Sequence, residues 1–397
     1  MGHLPDGRVV FVPRAAPGDL IELARVREER RFARAEVGRV TEPGADRVAP
    51  PCPHYERDRC GGCQLQHLSA PAQRAARRRI VGDALRRLAK LDVDDPPLEP
   101  APADLGYRTR ITLHALEGNA RRLGYHRLGE PGQVFDVEDC LLAVPAVREL
   151  WRALRDERGL LPRDVADLTL RLDDVGGCHV LLRVRGTTPW NEAGRLAAAL
   201  ERAGTPATIW WQPEGGAARA VAGSDDPFPA TVFEQVHPAM GDAAREWAIA
   251  ALGEVRGEHG WDLFAGLGQS AAALARAGAT VDAVEADRRA VRHGEGVTGA
   301  AGLAVRWHAG TCEAVVPALD AAPAFAIVNP PRAGLHVRVA EALTARAPSR
   351  LAYIACDPAT LARDLGRLPA HRVARVHAFD LFPQTAHVET VVLLERR

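Results

Sequence analysis

From about Asp226 to the end of the chain, short apolar runs alternate with alanine-rich stretches of helical period. Such alternation specifies a parallel sheet covered by helices on both faces. It restricts this part of the chain to a Rossmann-like α/β fold, in which ligands bind outside the carboxyl ends of the strands. The apolar runs stop at residues that can do chemistry: Glu285 after Thr280–Val284, Asn329 after Ala324–Val328, read as the third strand, and Cys356 after Leu351–Ala355. All of them are expected on one edge of one sheet.

The segment Trp261-Asp-Leu-Phe-Ala-Gly-Leu-Gly-Gln-Ser270 reads as a strand end, a turn at Gly266 and Gly268, and the start of a helix that runs to Ala277. Glycines let the backbone turn tightly and approach a ligand, and the new helix offers free N–H groups. Glu285 ends the next strand, at the spacing where a carboxylate accepts hydrogen bonds from both ribose hydroxyls of a nucleotide. A dinucleotide competes as ligand, because Gly266 to Ala271 fits G-x-G-x-x-A. Asp262 argues against it: a carboxylate just before the turn repels a pyrophosphate and suits the cationic amino-acid end of S-adenosylmethionine.

A chain of 397 residues exceeds what one core usually supports. We read three parts: residues 1–45 as a small OB-like barrel, 46–225 as a β-rich central domain and 226–397 as the α/β domain. Val9–Pro13 and Asp19–Val26 read as strands, broken by Pro17-Gly18. An arginine-rich helix spans Pro71–Lys90, with Ile80, Leu85 and Leu88 as its apolar stripe. From Tyr107 to Arg185 the pattern is mainly β, with a hairpin of Leu168–Leu172 and Val180–Val184 about the turn Asp173–Gly177.

Lys90 is the sole lysine, and its setting excludes both a Walker loop and a Schiff-base nucleophile. Balanced charge, 51 basic against 51 acidic residues, argues against a protein that coats nucleic acid at large. No apolar run reaches the roughly 18 residues of a membrane span and no secretory leader is evident, so a cytoplasmic protein without a membrane partner is expected. Seven cysteines are too few for a disulfide scaffold in such a chain. Cys52, Cys60, Cys63 and the distant Cys140 form a set of four thiols, which suits tetrahedral zinc or an iron–sulfur cluster. Cys178 and Cys312 read as structural.

Cys356 taken alone reads as a small core residue. Its place at a strand's carboxyl edge, before a helix beginning near Ala359, suggests a thiol whose pKa is lowered by the helix N-terminus. The blocks Phe233-Glu-Gln235, Asp262 to Gly268, Asn329-Pro-Pro-Arg-Ala-Gly334, Ala355-Cys-Asp-Pro-Ala-Thr-Leu-Ala-Arg-Asp364 and His387-Val-Glu389 then occur in one order. In that order they resemble the RNA uracil-5 methyltransferase family, a class I methyltransferase fold dependent on S-adenosylmethionine. The resemblance implies Cys356 as nucleophile and Glu389 as base, with cofactor contacts at Gln235, Phe264, Gln269, Glu285 and Asn329 beside Asp262, Gly266 and Gly268. It implies a 4Fe-4S cluster on Cys52, Cys60, Cys63 and Cys140, with zinc as the alternative. It also implies that the N-terminal strands are a TRAM domain gripping RNA, here without the strand that usually precedes Leu4–Pro13.

The family's chemistry requires a thiolate because C5 of uracil is a poor nucleophile until a group adds at C6. It requires a carboxylate because the adduct keeps a C5 proton that must leave. The uracil must be extruded from any stack. Two residues depart from the family pattern: Asn329 stands where aspartate is usual, and Asp357 where asparagine is frequent. The two are expected to sit close enough to share a role.

The implied substrate is RNA, with 23S rRNA favoured over the transfer-RNA T-loop because barrel and cluster occur together; no DNA is expected. Two other readings remain open. Asn329-Pro-Pro is similar to the motif of amino-group methyltransferases, although Arg332 replaces their aromatic residue and they need no cysteine. A non-catalytic RNA-binding factor would explain Asn329 as degeneration. Candidate phosphate contacts are Arg25, Arg27, Arg30, Arg31, Arg34, Arg74, Arg77, Arg78 and Arg79; Tyr107, Arg108 and Arg110 are further candidates for stacking and phosphate contact.

Overall fold

A computed structural model describes residues 2–4, 6–224 and 230–397. The junction read between residues 225 and 226, and the first residue of the part read as a barrel, lie outside the described residues.

Strands Gly2–His3, Val9–Phe11, Leu20–Glu28 and Phe32–Glu42 form a four-stranded sheet in the order first, second, fourth, third. Val10, Val12, Ala33 and Ala35 give it a small core of its own. Helix α1 (Ala70–Arg87) follows, its N-terminus capped by the Ser69 hydroxyl and opened by Pro71. Its buried stripe is Gln73, Arg77, Val81 and Leu85, spaced four apart. Ile80 and Leu88, expected on that stripe, are exposed instead. The inward face is mixed: Gln73 and Arg77 meet Gln384 and Asp380, while Val81 and Leu85 pack with Ala378 and Val388. Arg77 pairs there with Asp380 at 2.8 Å, both side chains buried. Removing one partner of such a pair generally costs about 3–5 kcal/mol, because the other is left as an uncompensated buried charge.

The central sheet has seven strands, from Arg219–Ala222 at one edge to Glu130–Asp136 at the other. The expected hairpin is present as Val165–Leu172 and Cys178–Val184, paired antiparallel. Two helices, α2 (Pro145–Asp156) and α3 (Ala193–Arg202), pack on this sheet. The first corrects the mainly β reading of this stretch: Val147, Leu150, Trp151 and Leu154 fall at helical spacing and are buried.

The C-terminal sheet positions the site. Its strands are β1 (His259–Leu263), β2 (Thr280–Glu285), β3 (Val305–Ala309), β4 (Phe325–Val328), β5 (Arg350–Ala355), β6 (His371–Phe379) and β7 (Glu389–Arg396). The order is β3-β2-β1-β4-β5-β7-β6, with Leu98–Glu99 added beyond β6. Phe325–Val328 is thus the fourth strand and not the third. The strand missed, Val305-Arg-Trp-His-Ala309, is an edge strand whose alternating polar residues give no apolar run. Strands β1 to β5 run parallel, and the order reverses between β1 and β4, the switch point at which such sheets bind ligands. Helices α4 (Pro238–Leu252), α5 (Gln269–Arg276), α6 (Arg288–Ala300), α7 (Val337–Arg346) and α8 (Pro358–Leu365) accompany the sheet. Separate apolar cores lie on its two faces, one around Phe325, Ile327 and Leu274, the other around Trp261, Tyr353 and Leu343.

Strand β7 runs antiparallel to both neighbours. Its register on β5 pairs Arg350 with Glu395 and Ala355 with Thr390. Just past this last pair, Cys356 follows Ala355 and Glu389 precedes Thr390, near enough for the Glu389 charge to act on the thiol. Among the described residues no helix is long and apolar enough to cross a membrane.

Candidate active site

The crevice at the switch point is built on the turn after β1. Phe264 takes a left-handed backbone conformation, φ +63°, rare for an aromatic residue. Gly266 (φ +57°) and Gly268 (φ +83°) follow it. A Cβ on Gly266 would meet open space, which leaves the turn accessible to a ligand, whereas one on Gly268 would lie 2.4 Å from the Trp307 indole. The Glu285 carboxylate braces the turn: Oε2 accepts from Gly266 N at 2.9 Å and Oε1 from Asp287 N at 2.8 Å. Each oxygen keeps a further lone pair for a ligand hydroxyl.

Asp262 is buried beneath this turn, and Oδ2 has no hydrogen-bond partner among the described residues. Burial pushes its carboxyl up to about 7, against the pull of the Ala271 N–H and the Arg245 guanidinium. Gln269 opens α5 with an exposed side chain whose Oε1 accepts from Arg245 Nη1 at 2.8 Å. Gln235 packs over the first turn of α4, where Gly241 leaves it room. Asn329 follows β4, its N–H donating to Leu263 O at 3.2 Å.

Cys356 and Glu389 meet on the neighbouring ladder. Glu389 is buried, Oε2 has no partner among the described residues, and burial raises its carboxyl to about 7 while Arg332 draws it down. The expected depression of the Cys356 thiol is not what this setting produces. Burial raises the thiol, the Glu389 charge adds to that, and Arg332 opposes both. Cys356 precedes the α8 cap, and the Asp357 carboxylate takes the Thr360 N–H at 2.7 Å. That bond also gives Asp357 a role of its own: asparagine caps a helix equally well, so the exchange at 357 is explained without Asn329.

Arg332 was assigned no role from sequence. The structure sets its guanidinium beside Cys356, Glu389 and His387, and its place in Asn-Pro-Pro-Arg was the available signal. The loop carrying it is stitched to α8 through Asp364, fully buried, which accepts from Leu335 N at 2.7 Å and from the Tyr353 hydroxyl at 2.8 Å.

Cys52, Cys60, Cys63 and Cys140 line one cavity of about 40 Å³, with Tyr55, Gln66, Arg108 and Tyr125 in its wall. Among the described residues no group of three or more His, Cys, Asp or Glu side chains is arranged to hold a metal ion. Burial raises Cys60 to about 11 and Cys63 to about 12. Arg14 of the N-terminal sheet lies 3.7 Å over the Tyr55 ring and donates to Cys60 O at 2.6 Å, so the first sheet braces the cysteine segment.

Some residues expected to face RNA are engaged elsewhere. Tyr107 is buried, stacks on His237 at 4.9 Å and donates its hydroxyl to Pro383 O. Arg77 is held by Asp380, and Arg78 Nε donates to Pro96 O. Arg110 lies 5.3 Å over the exposed Phe233 ring.

A parallel sheet with a reversed last strand, a glycine turn over a buried carboxylate and a thiol–carboxylate pair at the same edge define a class I methyltransferase. The solved structure of a Pyrococcus abyssi tRNA (uracil-54, C5)-methyltransferase with S-adenosyl-L-homocysteine shares the fold, with a TM-score of 0.73 at 21% identity over 99% of this chain and 98% of that one. Residues 321–397 match the tRNA (Uracil-5-)-methyltransferase family model. The chain is 30% identical to the 23S rRNA (uracil(1939)-C(5))-methyltransferase RlmD of Dechloromonas aromatica, over 98% of this chain and 95% of that protein. It is 33% identical to the protein of the same name from Halomonas elongata, over 98% and 85%. An uncharacterized RNA methyltransferase of Streptomyces avermitilis is 34% identical, over 98% and 93%. The chain belongs to the RNA uracil-C5 methyltransferase family. That membership sets aside the amino-group and non-catalytic readings.

Proposed function

We propose that this enzyme methylates C5 of a uracil in 23S rRNA with S-adenosylmethionine, through a covalent adduct on Cys356. The observation that supports the reading is the β5–β7 ladder, which ends beside Cys356 and Glu389 and leaves the Glu389 charge acting on the thiol. S-adenosylmethionine supplies an electrophilic methyl group when bound. The crevice fits it: Asp262 offers an unpartnered buried carboxylate to its ammonium group, and Glu285 offers lone pairs to its ribose. Phe264, Gly266, Gly268 and Gln269 belong to the same turn, Asn329 follows the neighbouring strand and Gln235 lies beside α4, and these are its further contacts.

The Cys356 thiolate adds to C6, and the C5=C6 electrons move through C4 onto O4, where an enolate forms. C5, made nucleophilic by the adduct, would then accept the methyl group that bound S-adenosylmethionine supplies. Glu389 takes the C5 proton, the C–H electrons rebuild C5=C6, and the thiolate departs. Arg332, as the adjacent cation, favours the thiolate over the thiol.

The four thiols around one cavity are the donor set a 4Fe-4S cluster takes, with zinc as the alternative. Cys52, Cys60, Cys63 and Cys140 would hold it and methyl transfer does not call on it, so its role is structural. Protein purified without oxygen should contain iron and acid-labile sulfide; zinc without sulfide overturns this assignment. The N-terminal sheet, read as a TRAM barrel over residues 1–45, the cluster-bearing part over 46–225 and the transfer domain over 226–397 make three working units. A ribosomal RNA substrate supports a cytoplasmic location.

Labelled methyl transfer to unmodified 23S rRNA and tRNA transcripts tests the substrate. Incorporation into 23S rRNA, mapped as 5-methyluridine by mass spectrometry, is the expected result. Incorporation into tRNA alone transfers the assignment to the T-loop.

Asp262 gives a pH signature. Its carboxyl stands near 7 in the free chain, and an ammonium group beside it favours the ionised form. Affinity for S-adenosylhomocysteine should therefore fall as pH drops through about 7, approaching tenfold per unit. Calorimetric titration of Asp262→Asn should show weaker binding with that slope gone; an unchanged slope assigns the proton elsewhere.

A further inference from the structure

The segment Asp380–Val388 delivers Glu389 to β7, and residues from the first third of the chain hold it. Gln64 N and Leu65 N both donate to Gln384 O, at 3.1 and 3.0 Å. Gln73 of α1 and Gln384 form a reciprocal pair: Gln73 Nε2 donates to Gln384 Oε1 at 2.9 Å and Gln384 N donates to Gln73 Oε1 at 3.1 Å. Gln64 Oε1 accepts from Ala386 N at 3.3 Å. Gln64 directly follows Cys63, and its carbonyl takes the hydroxyl of Tyr55 from the cavity wall.

Gln384 is buried and sits at φ +70°, a conformation that a residue other than glycine keeps only where its surroundings over-determine it. Glu389 cannot hold its own place in this way, because its Oε2 has no partner among the described residues. The carboxylate goes where the incoming backbone puts it.

We infer that Gln384 is a positioning residue for the Glu389 carboxylate, tying the base to the cysteine-lined cavity through Gln64 and to α1 through Gln73. The inference rests on the reading of Glu389 as the base. It predicts a selective defect: loosening Gln384 displaces the proton acceptor and leaves nucleophile, cofactor crevice and RNA contacts in place.

A 23S rRNA transcript carrying 5-fluorouridine separates these steps, since fluorine at C5 leaves no proton to remove. Adduct formation on it reads attack and methyl transfer alone. In Gln73→Leu and Gln64→Ala, turnover on the uridine transcript should fall, on the order of 100-fold for an ångström of displacement. The fluorouridine adduct should form within roughly twofold of the wild-type rate, because no group acting in those steps is altered. Hydrogen exchange at the Ala386 and His387 amides should quicken in both variants, and in the wild-type chain stripped of bound metal by a chelator. Equal loss on both transcripts, or loss on neither, overturns the positioning role; unchanged exchange after stripping overturns the link to the cavity. Should Gln73→Leu fail to fold, Gln64→Ala decides alone. Glu389→Gln is run beside them: if it lacks the same split, the base reading fails, and the exchange data still judge the tether.

Discussion

Replacing Cys356 with alanine is expected to lower methyl transfer by about 10⁴-fold or more, the scale seen when a covalent nucleophile is removed. Without a group to add at C6, C5 stays too poor a nucleophile to take the methyl, however well cofactor and RNA bind. Binding of S-adenosylhomocysteine should be unchanged, because the thiol lies past β5 and Asp262 and Glu285 lie at β1 and β2. The checks are labelled-methyl incorporation and the loss of a protein–RNA band on denaturing gels. A variant that kept methylating would return the chain to the amino-group chemistry that Asn329-Pro-Pro suggests.

Glu389→Gln should fail differently. Attack and methyl transfer can proceed once, but the C5 proton has no acceptor, so the adduct persists. Turnover should drop by about 10²- to 10⁴-fold, the range general-base catalysis supplies, while a covalent protein–RNA species accumulates. The pH dependence gives the sign. Glu389 accepts a proton only when ionised, and its carboxyl stands near 7, so wild-type turnover should fall below about pH 7. The Glu389 charge also raises the Cys356 thiol. In Glu389→Gln the thiolate should therefore form at lower pH, and adduct formation should extend further into the acid range than wild-type turnover does.

The residues at this edge were legible because a parallel sheet ends its strands there. Glu285, Asn329 and Cys356 each follow an apolar run, and periodicity finds such runs, whereas Asp262 is marked by the glycine turn that follows it. Glu389 was legible only through its motif, since the antiparallel insertion that carries it beside Cys356 leaves no mark in periodicity. Strand β3 was lost because an edge strand need not be apolar, and α2 because a β-rich neighbourhood masked its helical spacing. The Cys356 thiol is raised first by burial and then by Glu389, 33 positions later in the chain, and no reading of the local helix dipole includes either. Gln73, Gln384, Arg77 and Arg14 lay beyond reach for the same reason: polar contacts across 300 positions, or between a sheet and a loop, follow no period.

The ladder between β5 and β7 has one more consequence. Cys356 and Glu389, the proposed nucleophile and base, are brought together by backbone register and not by the length of chain between them. Insertions or deletions between α8 and β6 leave the pair intact, whereas a slip of one residue in β7 turns the carboxylate to the other face of the sheet. The connecting stretch lies at the far edge of the sheet, where His371 meets Pro348 O, so its length can drift without touching the crevice at all.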